Sequence, residues 1–283
     1  NLNDINFKIH QYEKQIETFD LMKFLKAEWR KPFDFEKGPL LRASVINASS
    51  NKVLSFTMHH IISDGWSIQV LYKDIVKVYA SLIKNTFESL PSLTIQFKDF
   101  SEWQKKYLDD KAVQKQLTYW KDTVFTGEIP TLELPYDYNR PALKTYNGDV
   151  IHYSFSPEIS NHLKTVSAKY GVSLFMNILT NVNILLKKLS NQSDIIIGTP
   201  IAGRDNIQLQ DLIGFFVNVV PVRSVISEGL SYKEFLLQIK ESVLKAFDYQ
   251  NVPFELLVEQ LQLSKNLSRS PLFDVAVVLQ NIE

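Results

Sequence analysis

Cysteine is absent from all 283 residues of the sequence. Disulfide bonds, thiolate nucleophiles and zinc sites built from cysteine are therefore excluded together. A chain without cysteine fits a reducing compartment, and we expect a cytoplasmic location.

The sequence also lacks an excess of charge of one sign and a long apolar run. Its 31 basic and 31 acidic residues give a formal net charge of zero, so no broad field would attract nucleic acid or anionic lipid. The best candidate for a membrane span, residues 171–186, is short and interrupted by serine, threonine and asparagine. Residues 1–10 lack the apolar stretch of a signal peptide. We predict neither nucleic-acid nor membrane partners.

Several sequence motifs of common enzyme classes are missing as well. The chain contains no Gly-x-Ser-x-Gly elbow and no Walker-type phosphate loop, so nucleotide chemistry has no support. No His-x-x-x-His pattern or cysteine cluster completes a metal site. We therefore predict no bound metal.

In the first half of the chain, alternation predicts a strand over 52–60, with His59 and His60 on opposite faces because side chains alternate along a strand. Helical spacing predicts helices over 67–84, 97–108 and 113–125. The first of these helices has an expected buried stripe of Ile68, Leu71, Ile75, Val78, Tyr79 and Leu82.

The second half follows a segment, 126–149, that carries three prolines and no sustained period, which predicts a linker. Beyond it we predict strands over 150–155, 194–199 and 274–279 and a buried helix over 174–189. A further helix is expected between the cap residue Ser156 and Gly171, and another over 231–250, where Ser231 and Glu234 have the spacing of a capping box. Strands and helices thus alternate in both halves.

One histidine pair stands out among the five histidines, because His59 and His60 are followed by Asp64 and Gly65. Imidazole titrates near pH ~6.5 and can accept or donate a proton at physiological pH. A glycine leaves the backbone open to close approach by a ligand. The residues alone leave two interpretations of His60 open, a proton-transfer catalyst or a packed core residue.

Five segments, in family order, resemble the motifs of condensation domains from nonribosomal peptide synthetases. The bare His-x-x-x-Asp-Gly core is shared with chloramphenicol acetyltransferase and other acyltransferases, so the later segments narrow the resemblance. The matching segments are MHHIISDGWS at 58–67, FKDFSEW at 97–103, IGFFVN at 213–218 with Arg223 after it, QNVPFE at 250–255 and LSRSPLF at 267–273.

The resemblance implies an α/β fold of two chloramphenicol acetyltransferase-like lobes in a V-shaped pseudo-dimer, each a mixed sheet with helices. We expect an N-terminal lobe over 1–146, including a linker of about 126–149, and a C-terminal lobe over 147–283. Two opening motifs of the family are missing, so the chain is expected to begin after them and to stop before the end of the second lobe.

The resemblance also implies the reaction and the partners. Members of the family join two substrates, each held as a thioester on the 4'-phosphopantetheine arm of a carrier protein, and form an amide. The implied partners are an upstream donor and a downstream acceptor peptidyl carrier protein, with an adenylation domain in the parent chain. No cofactor is expected to bind directly.

By the same resemblance, His60 is the catalytic base or the residue that positions the acceptor amine. Asp64 pairs with Arg204 and holds the turn after His60, Gly65 lets the thioester approach the backbone near the oxyanion, and His59 supports the site. The expected contributors to the tunnel wall are Asn218, Ser63 and Trp66.

Three alternatives share parts of this pattern. An epimerisation domain has the same fold and histidine motif, but Trp66-Ser67 after Gly65 resembles condensation domains more closely. A non-catalytic relative that recruits partner enzymes usually has a damaged histidine motif, which is intact here. A stand-alone acyltransferase that uses a soluble thioester is disfavoured by the segments at 253–255 and 268–271.

Overall fold

Helices and short strands alternate along the chain in the computed structural model, which describes residues 9–16, 18–48, 51–86, 88–263 and 266–280. The chain divides into two compact units, Asn1–Phe100 with Arg204–Phe216 and Ser101–Gly203 with Val217–Glu283. The expected lobes, 1–146 and 147–283, divide the chain at a different point, and that division stays a prediction.

The first unit contains a three-stranded mixed sheet in the order β1–β2–β3. Strand β1 (Ile9–Ile16) runs parallel to β2 (Leu41–Ala48), and helix α1 (Thr18–Trp29) lies between them in the sequence, as a parallel pair requires a crossover. Strand β3 (Asn51–Met58) pairs antiparallel with β2. The predicted strand at 52–60 therefore exists but ends at Met58.

Helix α2 (Gly65–Ile83) follows β3 and buries a different stripe from the one expected. Ile68, Tyr79 and Leu82 are each more than half exposed, so their assignment to the core was wrong. The buried residues of the helix are Ser67, Val70 and Ser81. Hydrophobic periodicity misses this face because two of its three residues are serines, which can be buried when their hydroxyl groups find partners.

Helix α3 (Phe97–Leu108) has the predicted bounds, and the predicted helix at 113–125 is found as α4 (Lys111–Tyr119) followed by a π-helical turn, Trp120–Val124. The expected linker, 126–149, carries no helix or strand.

The predicted strand at 150–155 is wrong. A strand needs a neighbour for its backbone hydrogen bonds, and no described residue forms a ladder with this segment. Ile151 is 94% exposed and Tyr153 is 80% exposed. Alternation along the sequence is compatible with a strand, but residues 150–155 pair with no described strand.

The second unit carries the larger buried core. Its helices begin and end at the predicted caps: Ser156 caps α5 (Pro157–Tyr170), Gly171 ends it in the left-handed conformation, and Ser231 with Glu234 forms a complete capping box. The remaining elements are α6 (Leu174–Ser190), β4 (Asp194–Ile201), β5 (Asn218–Val225), α7 (Tyr232–Asp248) and α8 (Phe254–Gln260). Strands β4 and β5 pair antiparallel.

The predicted last strand, 274–279, is reduced to one bridge. Gly198 of β4 pairs with Ala276 in the parallel sense, with backbone hydrogen bonds to Val275 and Val277. The ring of Phe273 lies 2.4 Å from the place where a Cβ on Gly198 would be. The glycine therefore lets this ring pack directly on the strand. Within the described part of the chain, no helix is long and apolar enough to cross a bilayer.

Candidate active site

The turn after β3 presents the histidine pair. His59 donates its backbone N–H to the carbonyl of Leu40 at 3.0 Å, and a single 3-10 turn, His60–Ile62, follows. Both histidines lie beyond the strand, so the prediction that strand alternation sets their directions was wrong. The chain turns here, where the His59 side chain accepts a hydrogen bond from the backbone of Ile61.

His59 is held by its own turn. Its Nδ1 accepts a hydrogen bond from the backbone N–H of Ile61 at 3.1 Å, so this nitrogen carries no proton in that contact. Phe33 and Phe35 both meet the ring edge to face, with ring centroids 6.0 and 4.7 Å away. These contacts fix the orientation of the His59 side chain, and its supporting role stays a prediction.

His60 has the opposite character. The residue is exposed, and its ring makes no hydrogen bond to any residue that the structure describes. Its ring contact is with Phe215, edge to face, at a centroid distance of 5.4 Å. Because the residue is exposed, the packed-core interpretation is wrong.

Asp64 lies four residues further on and is completely buried. Its Oδ1 accepts from the backbone N–H of Ser67 at 2.8 Å and so caps α2, and its Oδ2 accepts from the backbone N–H of Phe216 at 3.0 Å. Arg204 completes the set with an Nη2–Oδ1 distance of 3.1 Å. The structure thus contains the Asp64–Arg204 ion pair that the resemblance implied.

Arg204 organises the segment in which it lies. Its side chain is 1% exposed, donates to the carbonyls of Leu209 and Leu212, and lies over the ring of Phe216 at 4.1 Å. The segment Arg204–Phe216 is therefore folded around the guanidinium group. A buried charge in this setting stabilises the local structure only while its partners stay in place.

The pKa of Asp64 is below its ordinary value. Burial raises this pKa, but hydrogen bonds from Ser67 and Phe216 together with the charge of Arg204 outweigh burial. Burial lowers the pKa of Arg204, and the charge and hydrogen bond of Asp64 oppose this effect. The ordinary pKa of a guanidinium group is so high that Arg204 stays protonated. The pair is ionised at neutral pH.

Ser67 is the site residue that sequence reasoning missed. The side chain is fully buried. Its Oγ lies 2.7 Å from Asp64 Oδ1 and 2.8 Å from the carbonyl oxygen of Gly214, and it accepts from Arg204 Nη2 at 2.8 Å and from the Gly214 N–H at 3.0 Å. A hydroxyl group has one proton and two lone pairs. The Ser67 hydroxyl therefore donates either to Asp64 Oδ1 or to the Gly214 carbonyl, and the N–H groups of Arg204 and Gly214 use its two lone pairs. The signal available in the sequence was the place of Ser67 at the end of the segment 58–67 that resembles the family motif.

Two sequence motifs meet at this cluster. A Cβ on Gly214 would lie 2.2 Å from Cδ2 of Phe97, so only glycine leaves room for that ring. The rings of Phe97 and Phe100 also pack on Phe216, and their centroids lie 5.1 and 4.7 Å from the centroid of the Phe216 ring. The segments at 97–103 and 213–218 are thus joined by packing.

The other predicted residues of the turn have distinct surroundings. Ser63 is buried, and Trp66 is partly exposed and donates its Nε1–H to the carbonyl of Gln210 at 2.8 Å. Gly65 begins α2, its backbone lies outside the left-handed region, and a Cβ there would meet nothing within 4 Å. The fold itself therefore does not require glycine at position 65.

Asn218 belongs to the second unit, where hydrogen bonds engage both the nitrogen and the oxygen of its side-chain amide. It donates to the carbonyls of Gln250 and Val252, both at 2.8 Å, and accepts from the backbone of Val219 and Phe254. These bonds fix the backbone of the loop before α8. A tunnel-wall role for Asn218 stays a prediction.

The arginines of the later motifs are also structural. Arg269 is largely buried and pairs with Glu133 at 2.8 Å and with Asp274 at 3.2 Å. Arg223 pairs with Asp194 and donates to the carbonyl of Val124 at 3.0 Å. Among the described residues, no cluster of His, Cys, Asp or Glu has the arrangement of a metal site.

Comparison with known sequences agrees with this geometry. The family model described as "Condensation domain" matches residues 2–283. Gramicidin S synthase 2 of Aneurinibacillus migulanus is 40% identical over 254 residues, which make up 89% of this chain and 6% of that protein. Bacitracin synthase 3 of Bacillus licheniformis is 41% identical over 89% of this chain and 4% of its own length. The chain thus spans a small part of the length of these curated relatives.

Solved structures give the same result. A four-domain nonribosomal peptide synthetase bound to AMP and glycine has a TM-score of 0.85 and 26% identity, over 98% of this chain and 21% of that one. The X-domain from teicoplanin biosynthesis has a TM-score of 0.85 and 25% identity, over 94% of this chain and 60% of that one, and it is also solved in complex with OxyB. An epimerization domain of tyrocidine synthetase B, with a TM-score of 0.76 and 22% identity over 96% of this chain and 61% of that one, shares the fold. The chain therefore belongs to the condensation-domain family of nonribosomal peptide synthetases and has the chloramphenicol acetyltransferase-like fold of that family.

Proposed function

We propose that this chain forms an amide bond between two carrier-tethered substrates, with His60 acting on the acceptor amine. The observation that carries the proposal is the contrast at the turn after β3. His60 is exposed and its ring has no hydrogen-bond partner in the described part of the chain, whereas Asp64, four residues away, is buried and paired. A fixed turn that presents an open imidazole suits proton transfer or amine positioning.

The reaction balances without a metal or a redox group. The acceptor amine attacks the carbonyl carbon of the donor thioester, a C–N bond forms and the C–S bond breaks. One proton leaves the amine nitrogen, and one proton ends on the sulfur of the departing arm. An imidazole within hydrogen-bond distance of the amine can accept the first proton or hold the lone pair toward the carbonyl, and both roles need the same position.

Gly65 supports the same assignment. The space beside its Cα is open although the backbone conformation does not demand glycine. It is also the first residue of α2, where backbone N–H groups and the helix dipole favour negative charge. We place the developing oxyanion of the thioester carbonyl near this residue.

The same proposal includes the partners. Both substrates would arrive on 4'-phosphopantetheine arms, one from an upstream donor carrier protein and one from a downstream acceptor carrier protein, with an adenylation domain in the parent protein. Support comes from the family and from relatives that are peptide synthetases. The arms are substrates, and no resident cofactor is proposed.

The test is a condensation assay with this domain in its native protein and with loaded donor and acceptor carriers. We expect His60→Ala to lower the rate of amide formation by at least about a hundredfold, in the range of lost acid–base catalysis, with an unchanged melting temperature. His162→Ala is the control, because this histidine is exposed on α5. A folded His60→Ala protein with normal amide formation would refute the assignment.

Mass spectrometry of the tethered products, combined with chiral chromatography of the released residues, separates the alternatives in the same assay. Condensation adds the mass of one acyl group to the acceptor, whereas epimerisation leaves the mass unchanged and inverts one centre. A partner-recruiting role, suggested by the X-domain solved with OxyB, predicts neither product in the wild-type protein.

A further inference from the structure

We propose that Phe215 is a positioning residue that sets the orientation of the His60 imidazole. The inference rests on the proposed function of His60 and adds a residue that contacts its ring. The two rings meet edge to face, at a centroid distance of 5.4 Å and an interplanar angle of 75°. Aromatic pairs of this geometry favour one mutual orientation.

The His60 ring needs such a constraint. Its nitrogens make no hydrogen bonds to the described residues, and an exposed side chain on a turn can otherwise change rotamer on a fast timescale. His59 is different, because a hydrogen bond from Ile61 and two aromatic rings already fix it. Among the residues that the structure describes, Phe215 is the aromatic ring that contacts His60.

Phe215 is itself placed by the buried cluster. The residue before it, Gly214, contacts the hydroxyl of Ser67 through both its N–H and its carbonyl group, at 3.0 and 2.8 Å. The residue after it, Phe216, donates its N–H to Asp64 at 3.0 Å. Both backbone neighbours of Phe215 are therefore tied to the beginning of α2, the helix that follows the His60 turn.

This arrangement gives Asp64 a second structural role. Asp64 caps α2 on one side and holds the backbone beside Phe215 on the other, so the carboxylate fixes both members of the His60–Phe215 contact. Ser67 does the same through Gly214. In this proposal the buried cluster acts on the reaction through Phe215.

The test compares Phe215→Leu and Phe215→Tyr in the condensation assay. We expect Phe215→Leu to lower kcat about tenfold with KM unchanged, because a misoriented catalytic group slows the chemical step without weakening substrate binding. Phe215→Tyr keeps the ring edge and should stay within about twofold of the wild-type rate. Phe155→Leu is the matched control, since Phe155 is exposed and forms a similar edge-to-face pair with Tyr153, at 5.5 Å and 79°.

The outcomes separate this inference from the proposed function. If His60→Ala is inactive while Phe215→Leu keeps its kcat, or changes only KM, positioning by Phe215 is wrong and the role of His60 stands. An equal loss in Phe215→Tyr would also overturn the inference. If His60→Ala is fully active, the proposed function fails first. Phe215→Met repeats the test if Phe215→Leu lowers the melting temperature.

Discussion

At the scale of single residues, burial separates the groups that hold the turn from the histidine to which we assign the chemistry. Asp64 and Arg204 are sealed from water and bonded on several sides, whereas His60 is open. Charged groups are buried only when they are paired and hydrogen-bonded, because the cost of an isolated buried charge is large. The buried residues thus give the turn after β3 its shape, and the chemistry that we propose depends on the exposed His60.

Removal of one partner should therefore be costly. We expect Asp64→Ala to lower the free energy of unfolding by about 3–5 kcal/mol, because Arg204 would remain buried without its carboxylate, and to slow condensation as well. Urea denaturation measures the loss. Lys31→Ala, which removes an exposed pair with Glu28, is the control and should stay close to wild type. An unchanged unfolding midpoint for Asp64→Ala would show that the pair has no structural role.

The lowered pKa of Asp64 gives the same pair a pH signature. A carboxyl group whose pKa is lower in the folded protein than in the unfolded chain stabilises the fold above its ordinary pKa of about 3.9, and this stabilisation disappears as the pH falls through the folded value. Wild-type stability should thus fall more steeply below about pH 4 than that of Asp64→Asn, which cannot titrate. Parallel curves for the two proteins would contradict the assignment.

At the scale of elements, the site depends on the packing of Arg204–Phe216 against the beginning of α3. Gly214 is the contact point, because Phe97 occupies the space where any other residue would carry its Cβ. The ring of Phe97 is packed with Phe100 and Phe216, so it has little room to move.

We therefore expect Gly214→Ala to destabilise the protein by about 1–3 kcal/mol, the usual cost of overpacking, and to reduce condensation by shifting Phe215. Thermal unfolding and the condensation assay measure the two effects. Gly148→Ala is the matched control, since a Cβ there meets nothing within 4 Å. The double variant Gly214→Ala with Phe97→Leu should recover part of the stability, and no recovery would mean that the clash with Phe97 is not the cause.

At the scale of the whole chain, the sequence predicts those features of the fold that depend on residues close together in the sequence. Helix ends were correct at Ser156, Gly171 and Ser231, because caps act on the nearest backbone groups. The pair of Asp64 and Arg204, 140 residues apart, was accessible only through the family resemblance.

What local patterns could not predict depends on partners distant in sequence. Alternation at 150–155 indicates strand capacity, but pairing requires another strand. Ser67 looked like an ordinary polar helix residue, and its role became visible only when Gly214 and Arg204 were placed beside it. The positions of these contacts follow from how Arg204–Phe216 folds back, which no periodicity encodes.

The exposed segment 150–155 leads to a prediction about the surface of the whole chain. Its large apolar side chains lie in water and support no described core, so their replacement should cost little stability, while contiguous exposed apolar surface promotes association. We expect the double variant Ile151→Ser with Tyr153→Ser to keep the wild-type melting temperature within about 2 °C, since surface changes are usually within ±0.5 kcal/mol. It should also bind less of a hydrophobic dye and scatter less light at high concentration.

Ile195→Ser is the contrasting variant, because Ile195 is buried in β4 and its loss should lower the melting temperature strongly. A large drop in melting temperature for the double variant would show that the segment is packed in solution, and would restore the strand that alternation predicts.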